Sequence, residues 1–312
     1  MTLNRTSKFQ TILGKFLTYF ILLSCFAILG LYAVQRFGAQ YAEQKIQEQL
    51  EHSGLTEFVH YQQVYFNPFT LTPSLEGVKV GAEDSPLLIF ARISFNSYLV
   101  KHPNLDIDFW IQESPIDSLS RKTGTLMRSA GMNTLLGKGS FSSTIQDEGI
   151  VSELKLDIKD AGKLTLMSNI RLLDQHFTLS DLRSDILASF ALGQPEALPI
   201  IYGEAIELRS LDIKYEESGL IHRLFSLSSS NQKNRINLED ALLLASQTVG
   251  FAPANSPEAK QIATSLQTFI ETPKQLTLSL LPSTPTSVKE LTLLANEGSL
   301  YKNSRITIQS HR

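Results

Sequence analysis

Hydrophobic positions dominate a long uncharged run near the start of the chain and then settle into alternating and helical periods. Between Lys15 and Arg36 lie twenty residues with no formal charge, Phe16 to Gln35. At about 1.5 Å rise per residue, a helix of that length covers about 30 Å, the thickness of a bilayer's hydrocarbon core. The pattern predicts a transmembrane anchor over residues 16–35 that presents Phe16, Phe20, Leu23, Phe26, Leu29 and Tyr32 to lipid. Tyr19, Tyr32 and Phe37 supply aromatic rings near its two interfaces. From Gly38 to about Ser53 apolar residues recur at helical spacing in a thin stripe. That predicts a stalk prolonging the anchor until Gly54 stops it.

Period two follows. Leu87, Ile89, Ala91, Ile93 and Phe95 alternate strictly with other residues, as do Leu105, Ile107, Phe109 and Ile111. Turn residues separate the runs at Asn67-Pro68, Pro73, Gly77, Gly81 to Pro86 and His102-Pro103-Asn104, the spacing of an antiparallel meander. Residues 116–137 scatter Gly124, Gly131 and Gly137 among leucines and predict a helix or an irregular crossover. Strands resume at Phe141 to Ile145, Leu154 to Ile158, Leu164 to Leu172 and Phe177 to Leu179. They are joined by polar turns at Asp147-Glu148-Gly149, Asp160-Ala161-Gly162 and Asp174-Gln175. The stretch from Leu182 to Leu192 fits either a helix or a strand.

A long strand, Ile206 to Tyr215, leads into a segment marked by helix caps. Ser218 precedes a helix over Gly219 to Leu227, and Asn237 with Asp240 precedes one ending at Gly250. Ser256-Pro257-Glu258 opens one closed by Pro273, and Ser287 with Glu290 forms a capping box for a short one. Leu276-Leu278-Leu280 and Ile306-Ile308 return to strand. On the helix after Ser256, Ile262, Leu266, Phe269 and Ile270 share one face, which makes it a core helix or a movable lid. The expected fold class is α+β: an N-terminal transmembrane helix, antiparallel meander sheets in two sets (57–111 and 139–215), and helices concentrated in the C-terminal third. The expected divisions are a cytoplasmic tail at 1–15, the anchor at 16–35 and a helical stalk at 36–56. A β-rich subdomain with a helical crossover follows at 57–137, and a second α+β subdomain at 138–312.

Charge orients the anchor. Arg5, Lys8 and Lys15 precede the span and no acidic residue occurs among the first 36, so the tail is expected in the cytoplasm and residues 36–312 on the far side. A cleavable signal would have a shorter apolar core and a small-x-small site, yet Leu31-Tyr32-Ala33 begins with a large residue. A lipobox at Leu22-Leu23-Ser24-Cys25 would continue into a polar tether, yet Phe26 to Leu31 stay apolar. Removing Arg5, Lys8, Lys15 and Arg36 from the total charge of −3 leaves −7 for residues 37–312, which repels phosphate backbones and argues against nucleic acid as a partner. Cys25 is the sole cysteine and falls within the span, which removes intrachain disulfides and cysteine metal sites.

No catalytic constellation emerges. His52, His60, His102, His176, His222 and His311 lack the close spacing of a helical metal site. The glycine-rich run Gly131 to Ser140 misses a phosphate loop twice, in its first spacing and in the Gly after Lys138. Asp106 and Asp108 share a strand face near Glu113, where carboxylate pairs can act on glycans, but the same pattern is the solvated face of an amphipathic strand. Glu216 and Glu217 suit the positive end of the next helix. No G-x-S-x-G occurs. No cofactor, metal or catalytic residue is assigned.

Two stretches resemble known families. The anchor with Tyr65-Phe66-Asn67-Pro68-Phe69-Thr70-Leu71, Leu75-Glu76-Gly77-Val78-Lys79-Val80 and the strand up to Phe95 resembles the N-terminal region of AsmA-like bacterial envelope proteins. Leu211 to Leu224, Phe269-Ile270-Glu271-Thr272-Pro273 and the strand from Leu276 are similar to uncharacterised periplasmic proteins of proteobacteria. The AsmA-like resemblance implies a single-pass inner-membrane protein with a periplasmic domain and a role in lipid movement. This chain is too short to bridge a periplasm, so such a role would be local or shared with envelope partners. The expectation is a non-enzymatic envelope protein that meets the bilayer through residues 16–35 and binds a lipid or other apolar ligand, or assists envelope assembly. The rivals are a periplasmic hydrolase of glycan or peptide and a pure docking scaffold.

Overall fold

A computed structural model describes residues 3–96, 104–116, 121–146, 149–174, 176–192, 194, 197–225, 252–253 and 256–311. Its first element, α1 (Leu3–His52), is one unbroken helix, so the segments expected as anchor and stalk form a single rod. The stretch beginning at Phe16 is long and apolar enough to cross a membrane, with a mean hydropathy of 2.2 and none of its most apolar window buried by protein. Phe16, Phe20, Leu23, Phe26, Leu29 and Tyr32 each expose more than half of their surface.

Twelve strands of the described residues then build one antiparallel sheet. They are β1 (Val59–His60), β2 (Gln63–Asn67), β3 (Thr72–Ala82), β4 (Ser85–Phe95), β5 (Leu105–Pro115), β6 (Thr134–Gln146), β7 (Gly149–Ile158), β8 (Gly162–Leu172), β9 (Ile206–Glu217), β10 (Gln275–Leu280), β11 (Thr286–Ser287) and β12 (Thr307–His311). From β3 to β10 each strand pairs with the next in sequence. β1 and β2 border β3, β12 borders β10, and β11 joins β9. Short turns return β4 beside β3, β7 beside β6 and β8 beside β7, and the longer helix-bearing connections before β6, β9 and β10 bring the next strand back to the same edge, with the apolar side chains on one face.

The sheet is one body where two strand sets were expected. β5 pairs directly with β6 from Leu105↔Ser143 to Pro115↔Thr134, and α2 (Arg121–Ser129) loops out between them. The residues from 134 onward are strand rather than crossover. Gly137 lies within this strand, where an added side-chain carbon would be 2.4 Å from the Asp157 carbonyl of β7; at Gly139, inside the expected strand set, it would lie 2.5 Å from the ring of Phe109 on the paired strand, so the ring itself fills the row there.

Other departures have local causes. Phe177 to Leu179 is not a strand. Thr178 caps α3 (Leu179–Ala191), its hydroxyl accepting from the Asp181 N–H while the Asp181 carboxylate accepts from the Thr178 N–H, and the ambiguous stretch after Leu182 becomes the body of this helix. α4 (Ala197–Tyr202) follows. Glu217, not Ser218, caps α5 (Leu220–Phe225): its Oε1 accepts from the N–H groups of Gly219 and Ile221 at 2.6 and 3.0 Å. α6 (Pro257–Glu271) starts on the Ser256 cap as expected, and α7 (Val288–Asn296) on Ser287. α8 (Leu300–Ser304) precedes β12. The helices of the C-terminal third are thus modest beside α1. The helix expected before Gly250 lies outside the described residues.

Candidate functional site

Registration across the sheet brings the period-two positions into rows. Phe95, Ile107, Phe141, Leu154, Leu166, Ile213, Leu278 and Ile308 are successive cross-strand partners from β4 to β12. Beside them runs Val64, Leu75, Ile93, Phe109, Gly139, Leu156, Leu164, Tyr215 and Leu276. At about 4.8 Å between neighbouring strands the first row is about 34 Å long. The reverse face is polar. One of its rows reads Asp106, Ser142, Glu153, Met167, Asp212, Ser279 and Thr307. The apolar face therefore draws its continuity from the pairing of eight segments that are distant in sequence.

Helices cover the borders of this face. At the β2–β3 edge α1 packs through Ile46 on the cluster of Leu75, Val78 and Val80. α3 straddles one end: Leu182 packs with Ile170 and Leu172 of β8, Leu187 and Ala191 reach the β3 cluster, and the Arg183 guanidinium donates to the Ser143 carbonyl of β6. Burial holds Arg183 below the usual guanidinium range. At the opposite end, Ile116, Met132 and Leu135 close over Phe109 and Ile111. Leu291 and Leu294 of α7 pack on Leu208, Leu280 and Ile306. Between these borders Phe95, Ile107, Phe141, Leu154, Leu166, Ile213 and Leu278 remain only half-buried.

α6 belongs to this border. Ile262 and Phe269 are buried, Leu266 and Ile270 half-buried, and the Phe269 ring meets Tyr215 edge-on with centroids 5.9 Å apart. Tyr215 in turn donates to the Ala161 carbonyl and to Glu217 Oε2, at 2.8 and 2.7 Å. Burial, then the Glu217 carboxylate, raises the Tyr215 phenol above its ordinary range. Tyr202, donating to Asp185 at 2.6 Å, is raised in the same way by burial and then by that carboxylate.

The polar face carries a shallow groove of about 390 Å³ lined by Asp108, Trp110, Lys138, Ser140, Lys155, Asp157 and Lys163. Its charges are largely spent on one another or on neighbours. Lys155 pairs with Glu153 at 2.9 Å, Lys163 with Asp157 at 3.9 Å, and Asn96 donates to both Asp106 and Asp108. Asp106 and Asp108 thus sit on the solvated face and share an amide donor. Among the described residues no three His, Cys, Asp or Glu side chains gather as a metal site. His102 lies outside them.

Of the residues singled out in the sequence, Phe16, Phe20, Leu23, Phe26, Leu29 and Tyr32 lie exposed on α1 and Ile262, Leu266, Phe269 and Ile270 on the inward side of α6, but no residue was assigned to the apolar rows. The signal was present in the alternation of β4 and β5, and registration alone shows that it continues across the sheet. No curated protein matches the chain. A family model described as "Uncharacterized protein" matches residues 155–310, from within β7 to within β12. That match spans half of the 312 residues, and the chain belongs to this family of uncharacterised proteins.

Proposed function

We propose that this chain is a membrane-anchored, non-enzymatic envelope protein whose sheet shelters a lipid against its apolar face. One observation carries the reading: an eight-strand row of Phe, Ile and Leu whose middle is half-buried between bordering helices. Its length of about 34 Å exceeds one leaflet's share of a hydrocarbon core about 30 Å thick, so a full acyl chain fits along it. Apolar side chains flanked by a few polar groups are the ordinary lining of small-molecule sites. The row also begins close to the bilayer. Phe95 adjoins Ser94, which pairs with Ser74 beside Pro73, and the partner of Pro73 is Phe66, packed on α1 at Gly38, three residues past the apolar span. The basic tail before Phe16 favours a cytoplasmic N-terminus and an exported sheet. The AsmA-like resemblance of residues 65–95 implies the same kind of work.

Photo-crosslinking in native membranes tests this reading. A p-benzoylphenylalanine replacing Phe141 or Phe95 in the full chain is expected to yield lipid adducts, as will one replacing Phe26 in the anchor. One replacing Trp110 on the polar face is expected to yield none. Adducts at position 26 without any at 95 or 141 would refute lipid binding by the sheet. Adducts at 141 with peptide or glycan would favour the hydrolase or scaffold.

A further inference from the structure

We infer that the β2–β3 hairpin tip, Asn67 to Leu71, inserts into the bilayer interface beside α1, giving the ectodomain a second attachment to the membrane. The inference rests on the reading of α1 as an anchor and adds a contact that the anchor does not require.

Direction comes from two fixed points. Tyr61, just before β2, faces Gln47 and Glu43 of α1, whereas Phe66, near the end of β2, covers Gly38, where a side-chain carbon would lie 2.4 Å from the ring. As β2 advances, its neighbours on α1 fall in number, so the strand descends toward the apolar span. Three further residues reach Phe69. At about 3.3 Å each they extend up to about 10 Å, the rise of about six helical residues, which brings the tip level with Tyr32 to Arg36. That is the end of the uncharged segment, where aromatic rings favour the headgroup boundary.

The tip is built to show apolar groups there. Asn67 Oδ1 accepts from the N–H groups of Phe69 and Thr70 at 2.9 and 3.4 Å, and the Leu71 N–H donates to the Asn67 carbonyl at 2.8 Å. This fixed turn leaves Phe69 79% and Leu71 57% exposed, and Phe37, next in sequence to the Gly38 that Phe66 covers, is 70% exposed. Leu71 has φ 57°, a left-handed conformation that a branched apolar residue adopts only at a cost. Glycine would fit the backbone better, and an exposed leucine gains nothing from water. Lipid around the side chain removes the exposure and supplies a gain that offsets the backbone cost. Two attachments would also stop the sheet from swivelling about the anchor axis and hold the Phe95 end of the apolar row at the bilayer surface.

The test uses the full chain carrying Cys25→Ser, with a single cysteine introduced by Phe69→Cys, Phe26→Cys or Met167→Cys and labelled with the fluorophore NBD in phosphatidylcholine–phosphatidylglycerol vesicles. Position 69 is expected to emit blue-shifted light and to lose half or more of its intensity to lipids spin-labelled near the headgroup. Position 26 should respond to deeply placed spin labels, and position 167 to neither. Thr70→Cys should behave like position 69, and should lose its quenching when Phe69→Ser and Leu71→Ser are added. Water-like emission at 69 with a quenched label at 26 overturns the hairpin contact while sparing the anchor. A blue shift at 69 without lipid quenching overturns it in favour of a protein contact. Water-like emission at 26 removes the anchor reading and the hairpin contact with it.

Discussion

Gly139 and Phe109 show how single residues set the sheet. The Phe109 ring lies over the glycine, and the Lys155 carbonyl of the next strand would be 2.4 Å from any added carbon. Backbone cannot retreat as a side chain can. Gly139→Ala should therefore destabilise by about 1–3 kcal/mol, read as a lower unfolding midpoint in denaturant. Two tyrosines give the molecule an alkaline limit. Tyr215 and Tyr202 are raised above the ordinary phenol value near 10, by burial and then by Glu217 and Asp185 respectively. The folded state then holds protons that the unfolded chain releases. The stabilisation is complete below the unfolded pKa and is lost as pH rises above it toward the folded value. Thermal melts should fall in midpoint above about pH 10, and Tyr215→Phe should flatten that fall, most clearly together with Tyr202→Phe. An unchanged alkaline slope in the double variant would remove the two phenols as its cause.

Among the elements, α6 has the clearest energetic role. Ile262 is 1% exposed and Phe269 4%, on a helix that starts at the Ser256 cap and packs along β12 and β10. Truncating a buried phenylalanine leaves a cavity, so Phe269→Ala should cost about 3–5 kcal/mol and lower the melting temperature of the full chain in detergent micelles. If α6 is instead a lid, the midpoint should hold while lipid adducts at position 141 decline. α3 depends on its cap in the same physical way. Thr178→Ala removes the acceptor for the Asp181 N–H and should cost about 0.5–2 kcal/mol. Because α3 bridges β8 to β3, hydrogen exchange should speed up at Leu187 and Ala191 and also in β3.

At the scale of the whole molecule the sheet is the unit. β5 gives its outer edge to β6 in the pairing from Leu105↔Ser143 to Pro115↔Thr134, so a chain ending at residue 133 would leave that edge without partners. Residues 37–133 expressed alone should aggregate or remain unfolded, whereas residues 37–312 should melt in one transition. A folded, monomeric 37–133 fragment would mean that the first strands form a separate domain. The polar face contributes little to this cooperativity. Its ion pairs, such as Lys155–Glu153 and Lys214–Glu216, are substantially exposed, and pairs of that kind are worth about 0–1 kcal/mol. Lys155→Met should leave the melting midpoint nearly unmoved.

The sequence by itself determined what depends on neighbours along the chain. A run of twenty residues without a formal charge between Lys15 and Arg36 is long and apolar enough to cross a membrane as a helix, because a helix pairs its backbone groups within itself. Alternation specifies strands, and Ser256-Pro257 specifies where α6 begins, because periods and caps are local geometry. Local signals failed where one turn had two readings. Phe177 to Leu179 was strand-like until the Thr178–Asp181 box made it helix, and Gly137 looked like the end of a crossover until its pairing with Ile111 and Ile158 made it strand. Tertiary structure alone decided that the strands form one sheet, that Phe95, Ile107, Phe141, Leu154, Leu166, Ile213, Leu278 and Ile308 stand in one row, and that Phe66 packs against α1 at Gly38. The reason is registration. Each strand carries the alternation needed to face inward, but which residue stands opposite which is fixed by hydrogen bonds between segments far apart in the chain, and only the folded molecule contains them.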